Sequence, residues 1–364
     1  MKAYPLESLS IDDAIQLQFK LVDTITRFFN GDEMLDLGDL GVTPGLNQPI
    51  KTRTIEKIIS SFFNTEDSVL VRGSGTNAIK EALYVSKKNN GKVLLHDAPI
   101  YTTTKISLDM LSMDYIKTDF NNENELINIL KTENISTVIV QQTRQSFNDN
   151  YDYEQIIKTI KENSKANIVC DDNYAVLKTK HIGSQIGADL SCFSSFKLLG
   201  PEGIGIVTGN GKLIEKIRKL HYSGGSQVQG HEAMSVLRGL VYAPVSLAIQ
   251  ATQILEIKEK ILELKDPRIK DVIIANAQSK VIIVEFKDNI AKKVLENSVK
   301  LGAAPYPVGS ESKYEIVPMF YRISKSSLGN NEELLDRTIR INPMRAGADT
   351  VIRILLKSME EICL

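Results

Sequence analysis

The feature that most constrains this chain is an alternation. Short runs that are apolar at consecutive positions (residues 68–71, 93–95, 137–140, 168–170, 190–193 and 204–207) are mostly separated by stretches of helical periodicity, such as 77–87, 124–130 and 153–163. A strand with one wet face alternates apolar and polar side chains, whereas one apolar at every position is buried on both faces. Strands of the second kind joined by helices predict a mostly parallel sheet sandwiched between helices. The 364 residues suffice for one such large domain and a smaller one.

The rest of the chain fits around that core. Residues 11–29 carry apolar side chains at helical spacing, and the Gly- and Asp-rich stretch 36–45 behind them is loop material. A long helical stretch over 231–264 ends the alternation, with Pro244 expected to kink it. Strands at 272–275 and 281–285, a helix around 290–301, a strand near 338–341 and a helix from Asp349 follow. The expected division is an N-terminal helix and arm over 1–50, a large domain over 51–245 and a small α/β domain over 246–364.

Composition excludes several function classes. A net charge of -1 offers no basic surface for nucleic acid or anionic lipid. No run approaches the roughly 18 apolar residues of a membrane span, and the first residues lack the apolar core of a signal peptide. Cys170, Cys192 and Cys363 are odd in number and scattered, which fits a reducing cytoplasm. His96, His181, His221 and His231 show no metal-ligand spacing, so no metal is expected. The stretch from Gly205 to Lys212 is one residue too long for a phosphate loop and is followed by Leu213 in place of Ser or Thr. A Gly-x-Ser-x-Gly elbow is also missing, against a triad hydrolase.

The chemistry concentrates at strand ends. The run 168–170 leads into Asp171-Asp172, and the run 190–193 leads into Ser194-Ser195-Phe196-Lys197. Ligands of open α/β sheets bind at the carboxyl ends of the strands. A carboxylate and a lysine placed there suit pyridoxal 5′-phosphate (PLP), whose aldehyde bonds to a lysine amine and whose ring nitrogen must stay protonated. A neighbouring carboxylate favours that proton. A phosphate needs helix N-terminal N–H groups and hydroxyls. The run 68–71 leads through Arg72 into Gly73-Ser74-Gly75-Thr76 and then a helix, which supplies both.

Several segments carry a resemblance: Asp171 with Tyr174-Ala175, Gly187-Ala188-Asp189, then Ser194 and Lys197, together with YTTT at 101–104, FKLLGPEG at 196–203 and RINPMR at 340–345. On these the chain resembles the fold type I PLP-dependent enzymes, in the branch of cystathionine-metabolising lyases and aluminium-resistance proteins, and within it the YhfS-type bacterial aminotransferases. The resemblance covers nearly the whole chain. It implies an α/β fold, with a mostly parallel seven-stranded sheet in a three-layer α/β/α large domain plus a small C-terminal α/β domain.

The resemblance also implies roles. Lys197 would form the Schiff base with PLP and move the substrate's α-proton. Asp171 would pair with the ring nitrogen; Asp172 is the competing choice. Gly73, Ser74, Gly75, Thr76 and Ser194 would hold the phosphate, Tyr101 would stack on the ring, and Tyr174 would join the cofactor site. Arg340 resembles the arginine that binds a substrate carboxylate, with Arg345 as a second candidate. Gln142 and Arg144 resemble a further substrate-binding stretch. Ser226 sits where related enzymes lend a loop to the neighbouring subunit's phosphate site, which implies a homodimer, with a tetramer as the alternative.

Each residue also has a plainer reading. Lys197 would be a surface lysine after a strand and Tyr101 a packing aromatic. Ser74 and Thr76 would be helix caps, Arg340 and Arg144 salt-bridge residues, and Ser226 part of a turn. The leading function is an aminotransferase-like reaction on an amino acid or related amine. The alternatives are β- or γ-elimination, aldol cleavage, and PLP binding without turnover.

Overall fold

Six strands form where the apolar runs lie, and a seventh joins them. In chain order they are β1 (Asp67–Arg72), β2 (Lys92–His96), β3 (Tyr115–Thr118), β4 (Ile135–Gln141), β5 (Asn167–Asp171), β6 (Leu190–Ser194) and β7 (Ile204–Gly209). The computed structural model describes residues 2–88, 90–277, 279–308, 311–323 and 332–362. Among these the seven strands make one sheet in the order β1-β7-β6-β5-β4-β2-β3. All run parallel except β7, which pairs antiparallel with both β1 and β6. The connection from β6 to β7, residues 195–203, is shorter than the dozen or so residues a parallel crossover requires.

The longer helices are α1 (Ile11–Thr26), α2 (Ile50–Phe63), α3 (Ser74–Ser86), α4 (Thr102–Met110), α5 (Glu123–Thr132), α6 (Tyr153–Asn163), α7 (Gly211–Leu220), α8 (Gly230–Leu264), α9 (Ala291–Lys300) and α10 (Ala348–Glu360). Successive strand residues enter opposite cores. Val93, Leu95, Ile139 and Val169 pack with Ala78, Ala82 and Leu83 of α3 and Ile214 and Ile217 of α7. Leu94, Val138, Val140 and Ile168 pack with Leu126 of α5 and Ile156, Ile157 and Ile160 of α6. This is the three-layer arrangement that strands apolar on both faces predict. Each fully buried aliphatic side chain contributes about 1.5–3 kcal/mol to it.

The chain divides into two compact units: Ile15–Gln142 with Tyr151–Pro244, and Met1–Ala14 with Thr143–Asn150 and Val245–Leu364. The first 50 residues are therefore shared between them. The second unit holds β8 (Ile269–Ala277), β9 (Ser279–Phe286), β10 (Met319–Arg322) and β11 (Thr338–Asn342), antiparallel in the order β10-β11-β9-β8. One face packs on α9, α10 and Ile254, Ile257 and Ile261 of α8. The other buries Val281, Ile283, Met319 and Tyr321 with Ala3 and Phe147.

Helix α8 is long and apolar enough to cross a membrane by length and composition. Its Ala233, Met234, Leu237 and Leu240 are buried inside the protein. Pro244, where the sequence suggests a kink, lies inside this one continuous helix. Gly309 and Cys363 lie outside the described residues.

Candidate active site

Strand pairing assembles the site within the first unit. Asp171 of β5 stands opposite Cys192 of β6, and Ser194 of β6 and Val71 of β1 both stand opposite Gly205 of β7. The carboxyl ends of β1, β5 and β6 therefore reach one edge of the sheet, bringing Gly73–Thr76, Asp171–Tyr174 and Ser194–Lys197 together.

The turn from β1 into α3 starts at Gly73. Its left-handed backbone (φ +96°) turns the chain sharply out of β1. Helix α3 then begins at Ser74, three residues earlier than the periodicity indicates. The N–H groups of Gly73 and Ser74 both donate to the Gly203 carbonyl, at 2.7 and 3.0 Å. Gly205 lies so close beneath that a Cβ there would stand 2.3 Å from the Ser74 carbonyl oxygen. The hydroxyls of Ser74 and Ser194 meet at 2.6 Å. Gly75 is buried and Thr76 exposed in the first turn of α3, where N–H groups lack intrahelical partners.

Lys197 sits in a single 3-10 turn, Phe196–Leu198, after β6. Buried Ser195 fixes that turn. Its carbonyl accepts from the N–H groups of Leu198 and Gly200, and its hydroxyl reaches the carbonyls of Pro201 and Ile204, each at 3.0 Å. The Lys197 Nζ lies 3.7 Å from the centre of the Tyr174 ring and 3.5 Å from Asn173 Oδ1. Tyr174 itself has a left-handed backbone (φ +67°), a strained conformation of the kind that accumulates at functional sites.

The two aspartates separate by environment. Asp172 is fully buried and committed: its Oδ1 accepts from the Tyr153 hydroxyl at 2.6 Å and its Oδ2 from the Gly183 N–H at 3.2 Å. Burial pushes its carboxyl up to about 6, against the pull of Ser191, Tyr153 and Gly183. Asp171 Oδ1 instead accepts from Asn173, and its carboxyl lies within the electrostatic reach of Lys197. Burial raises its carboxyl above the usual range, while the side-chain hydrogen bond from Asn173 and the Lys197 charge draw it back down. Both Asp172 oxygens are thus taken by Tyr153 and Gly183, whereas Asp171 lies within the reach of the Lys197 charge. Tyr101 caps α4 and is 37% exposed. Burial raises its phenol first, then the nearby Tyr174 and Asp171, with Lys197 opposing.

Other expected residues lie in different surroundings. Gln142 is buried just past β4, where its N–H donates to the Asp171 carbonyl at 3.1 Å and its Nε2 to Thr179 Oγ1 and the His181 carbonyl, both at 3.0 Å. Its Oε1 has no hydrogen-bond partner among the described residues. Ser226 bonds to the Ser223 carbonyl at 2.7 Å in an exposed turn. Arg144 and Arg340 belong to the second unit. There Arg144 donates to the Tyr4 carbonyl at 2.7 Å. Arg340 donates through Nε to the Arg322 carbonyl at 3.0 Å and stacks 4.2 Å over Tyr321. Arg345, the second carboxylate candidate, is tied to Gln250 at 2.8 Å. The sequence reading passed over Asn173, which contacts Asp171, Ser194 and Lys197 together. In Asp171-Asp172-Asn173 it reads as an ordinary turn residue, and only its place two positions after Asp171 marks it.

The architecture is that of the fold type I PLP-dependent transferases, with a carboxylate, a lysine and the start of a helix on one sheet edge. Residues 51–238 match the aminotransferase class-V family, and residues 255–355 match the YhfS-like C-terminal domain. The whole chain is 46% identical over 366 residues to YhfS of Escherichia coli strain K12, with 100% of both chains covered. The crystal structure of the pyridoxal-5′-phosphate dependent protein YhfS from Escherichia coli matches with a TM-score of 0.97 at 45% identity, over 99% of this chain and 100% of that one. A carbon-sulfur lyase involved in aluminium resistance, from Clostridium novyi, shares the fold with a TM-score of 0.70 at 18% identity, over 97% of this chain and 91% of that one. This chain belongs to the aminotransferase class-V family and is a relative of YhfS.

Proposed function

We propose that this chain is a PLP-dependent enzyme acting on an amino acid or related amine, that Lys197 is the cofactor lysine, and that the reaction is a transamination. The observation that carries this reading is a buried carboxylate, Asp171, brought to the same sheet edge as the Lys197 amine. The residues fit the cofactor. The cradle that a Cβ at Gly205 would disturb, the paired hydroxyls of Ser74 and Ser194, and the N–H groups of Gly75 and Thr76 suit a phosphate. Gly73 shapes the turn into that cup.

When bound, PLP supplies an electron sink for the pair left by a departing α-proton. The remaining work falls to the chain. Asp171 holds a proton on the ring nitrogen by its charge. Lys197 carries the α-proton at Nζ. Tyr101 would stack on the ring and Tyr174 would join the cofactor site, and Arg340, Arg144 and Gln142 are the candidate substrate-binding residues. The protein works in the cytoplasm as a homodimer, with Ser226 reaching the neighbouring subunit's phosphate; the exposed turn around Ser226 supports this, and a tetramer is the alternative.

One observation favours a second reading, elimination of a β- or γ-substituent. The Tyr101 phenol lies within the electrostatic reach of Lys197 and Asp171, so a hydroxyl stands at the site beside the amine and the carboxylate. Mixing the PLP-loaded protein with a panel of amino acids separates the two. A lasting pyridoxamine-form spectrum without ammonia supports transamination. Ammonia with a keto acid and regenerated PLP supports elimination. No change with any amino acid contradicts both.

A further inference from the structure

We infer that Asn173 is the positioning residue of the site, fixing the Asp171 carboxylate and the Lys197 amine relative to each other through the two ends of one amide. The inference rests on the proposed PLP reading and adds a residue to it. Asn173 Nδ2 donates to Asp171 Oδ1 at 2.8 Å, and the Asn173 backbone N–H donates to the same oxygen at 3.1 Å. Its Oδ1 accepts from the Ser194 N–H at 3.1 Å and lies 3.5 Å from Lys197 Nζ. Only one orientation of the amide works. Turned over, it would set an oxygen against the carboxylate and an NH2 against two donors.

The amide is also wedged in place. A Cβ on Gly75 would stand 2.7 Å from Asn173 Oδ1 and 2.8 Å from Nδ2, so the amide lies directly against the start of α3. Asn173 is 9% exposed. One side chain thus joins the end of β5, the end of β6 and the phosphate-cup helix. A neutral amide suits both neighbours, because it donates to an anion and accepts from a cation without adding charge. Its donation to Asp171 opposes the protonation that burial favours.

The titratable groups around the pair are Lys197 from the turn after β6, Asp172 beside Asp171, Tyr101 at the start of α4, Tyr174, and the buried thiols Cys170 and Cys192, which burial keeps protonated. Asn173→Asp keeps the acceptor for Ser194 and Lys197, reverses the contact with Asp171, and adds a negative charge beside the amine.

The test measures PLP uptake by the purified apoprotein across pH, following the cofactor's absorbance. Uptake through Lys197 needs the unprotonated amine. Asn173→Asp should shift the midpoint of the rate–pH profile upward by on the order of one unit, the effect of an opposite charge at close range. Asn173→Ala should weaken PLP binding by about tenfold or more, the size of a lost hydrogen bond to a charged group. Wild-type PLP affinity in a folded Asn173→Ala protein would show that the amide does not position the pair and would overturn the inference. A wild-type midpoint in a folded, PLP-binding Asn173→Asp protein overturns the inference and leaves the PLP reading standing. If Asn173→Ala does not fold, Asn173→Asp decides alone, and if neither folds, Asn173→Ser replaces them and wild-type affinity and midpoint overturn the inference. Wild-type protein that takes up no PLP overturns both.

Discussion

Replacing Gly205 by alanine tests whether the proposed phosphate cup is built by backbone contact. Gly205 lies on β7 between β1 and β6. A Cβ added there would be 2.3 Å from the Ser74 carbonyl oxygen, 2.8 Å from the Ser74 carbonyl carbon and 3.0 Å from the Ala78 Cβ. Ordinary contact needs about 1 Å more than the shortest of these distances. The obstructing atoms are backbone in the first turn of α3, so no side-chain rotation relieves the clash. Either β7 bends inside a fully paired sheet or α3 moves outward by about 1 Å. The helix is the softer element, because its first turn lacks intrahelical partners for its N–H groups.

The same shift would open the 2.6 Å contact between the Ser74 and Ser194 hydroxyls beyond hydrogen-bond range. Overpacking of this kind costs about 1–3 kcal/mol of stability. Losing one charge-assisted bond to the phosphate, about 1.5–3 kcal/mol, weakens PLP binding by about 10- to 100-fold. Equilibrium dialysis of PLP against the folded Gly205→Ala apoprotein measures this, with circular dichroism as the check on folding. Wild-type affinity in a folded variant would refute the claim that close approach at Gly205 shapes the cup.

Two further perturbations probe the surroundings. Asp172 binds its proton more tightly folded, at about 6, than at its ordinary 3.8, so its contribution to stability is full below pH 4 and lost as pH rises through 6. Urea unfolding of wild type and Asp172→Asn should therefore show their stability difference changing by about 2 kcal/mol between pH 4 and 7; a pH-independent difference contradicts a buried, titrating Asp172. Arg72 holds Glu232 through both terminal nitrogens, at 2.9 and 2.6 Å, and the Gln227 carbonyl through Nε at 3.0 Å. Arg72→Ala should speed hydrogen exchange across residues 223–229, and unchanged exchange there would show that other contacts hold the segment.

The sequence is most legible where burial is complete. All six apolar runs became strands because a two-faced core demands apolar residues at every position. Strand β3 escaped notice because Tyr115-Ile116-Lys117-Thr118 lies at the sheet edge with Lys117 exposed. Helix α4 was hidden by Thr102, Thr103 and Thr104, whose branched side chains favour strands and which are helical here through context. The reversed direction of β7 was readable in principle from the short 195–203 connection. At the site, the motif residues Asp171, Ser194 and Lys197 were legible because chemistry fixes their types. Asn173 was not, because its role depends on which strand ends meet, and periodicity does not carry that. Arg144 and Arg340 stand out in the sequence as residue types, while the carbonyls of Tyr4 and Arg322 that they meet do not.

The central claim is that Lys197 carries the cofactor beside Asp171. Loading the protein with PLP, reducing it with borohydride and mapping the modified peptide by mass spectrometry tests it directly. The account predicts a phosphopyridoxyl group on Lys197 alone, and an absorbance band at roughly 420 nm before reduction that is lost in Lys197→Ala. A label spread over surface lysines, or a band that survives in Lys197→Ala, would contradict it.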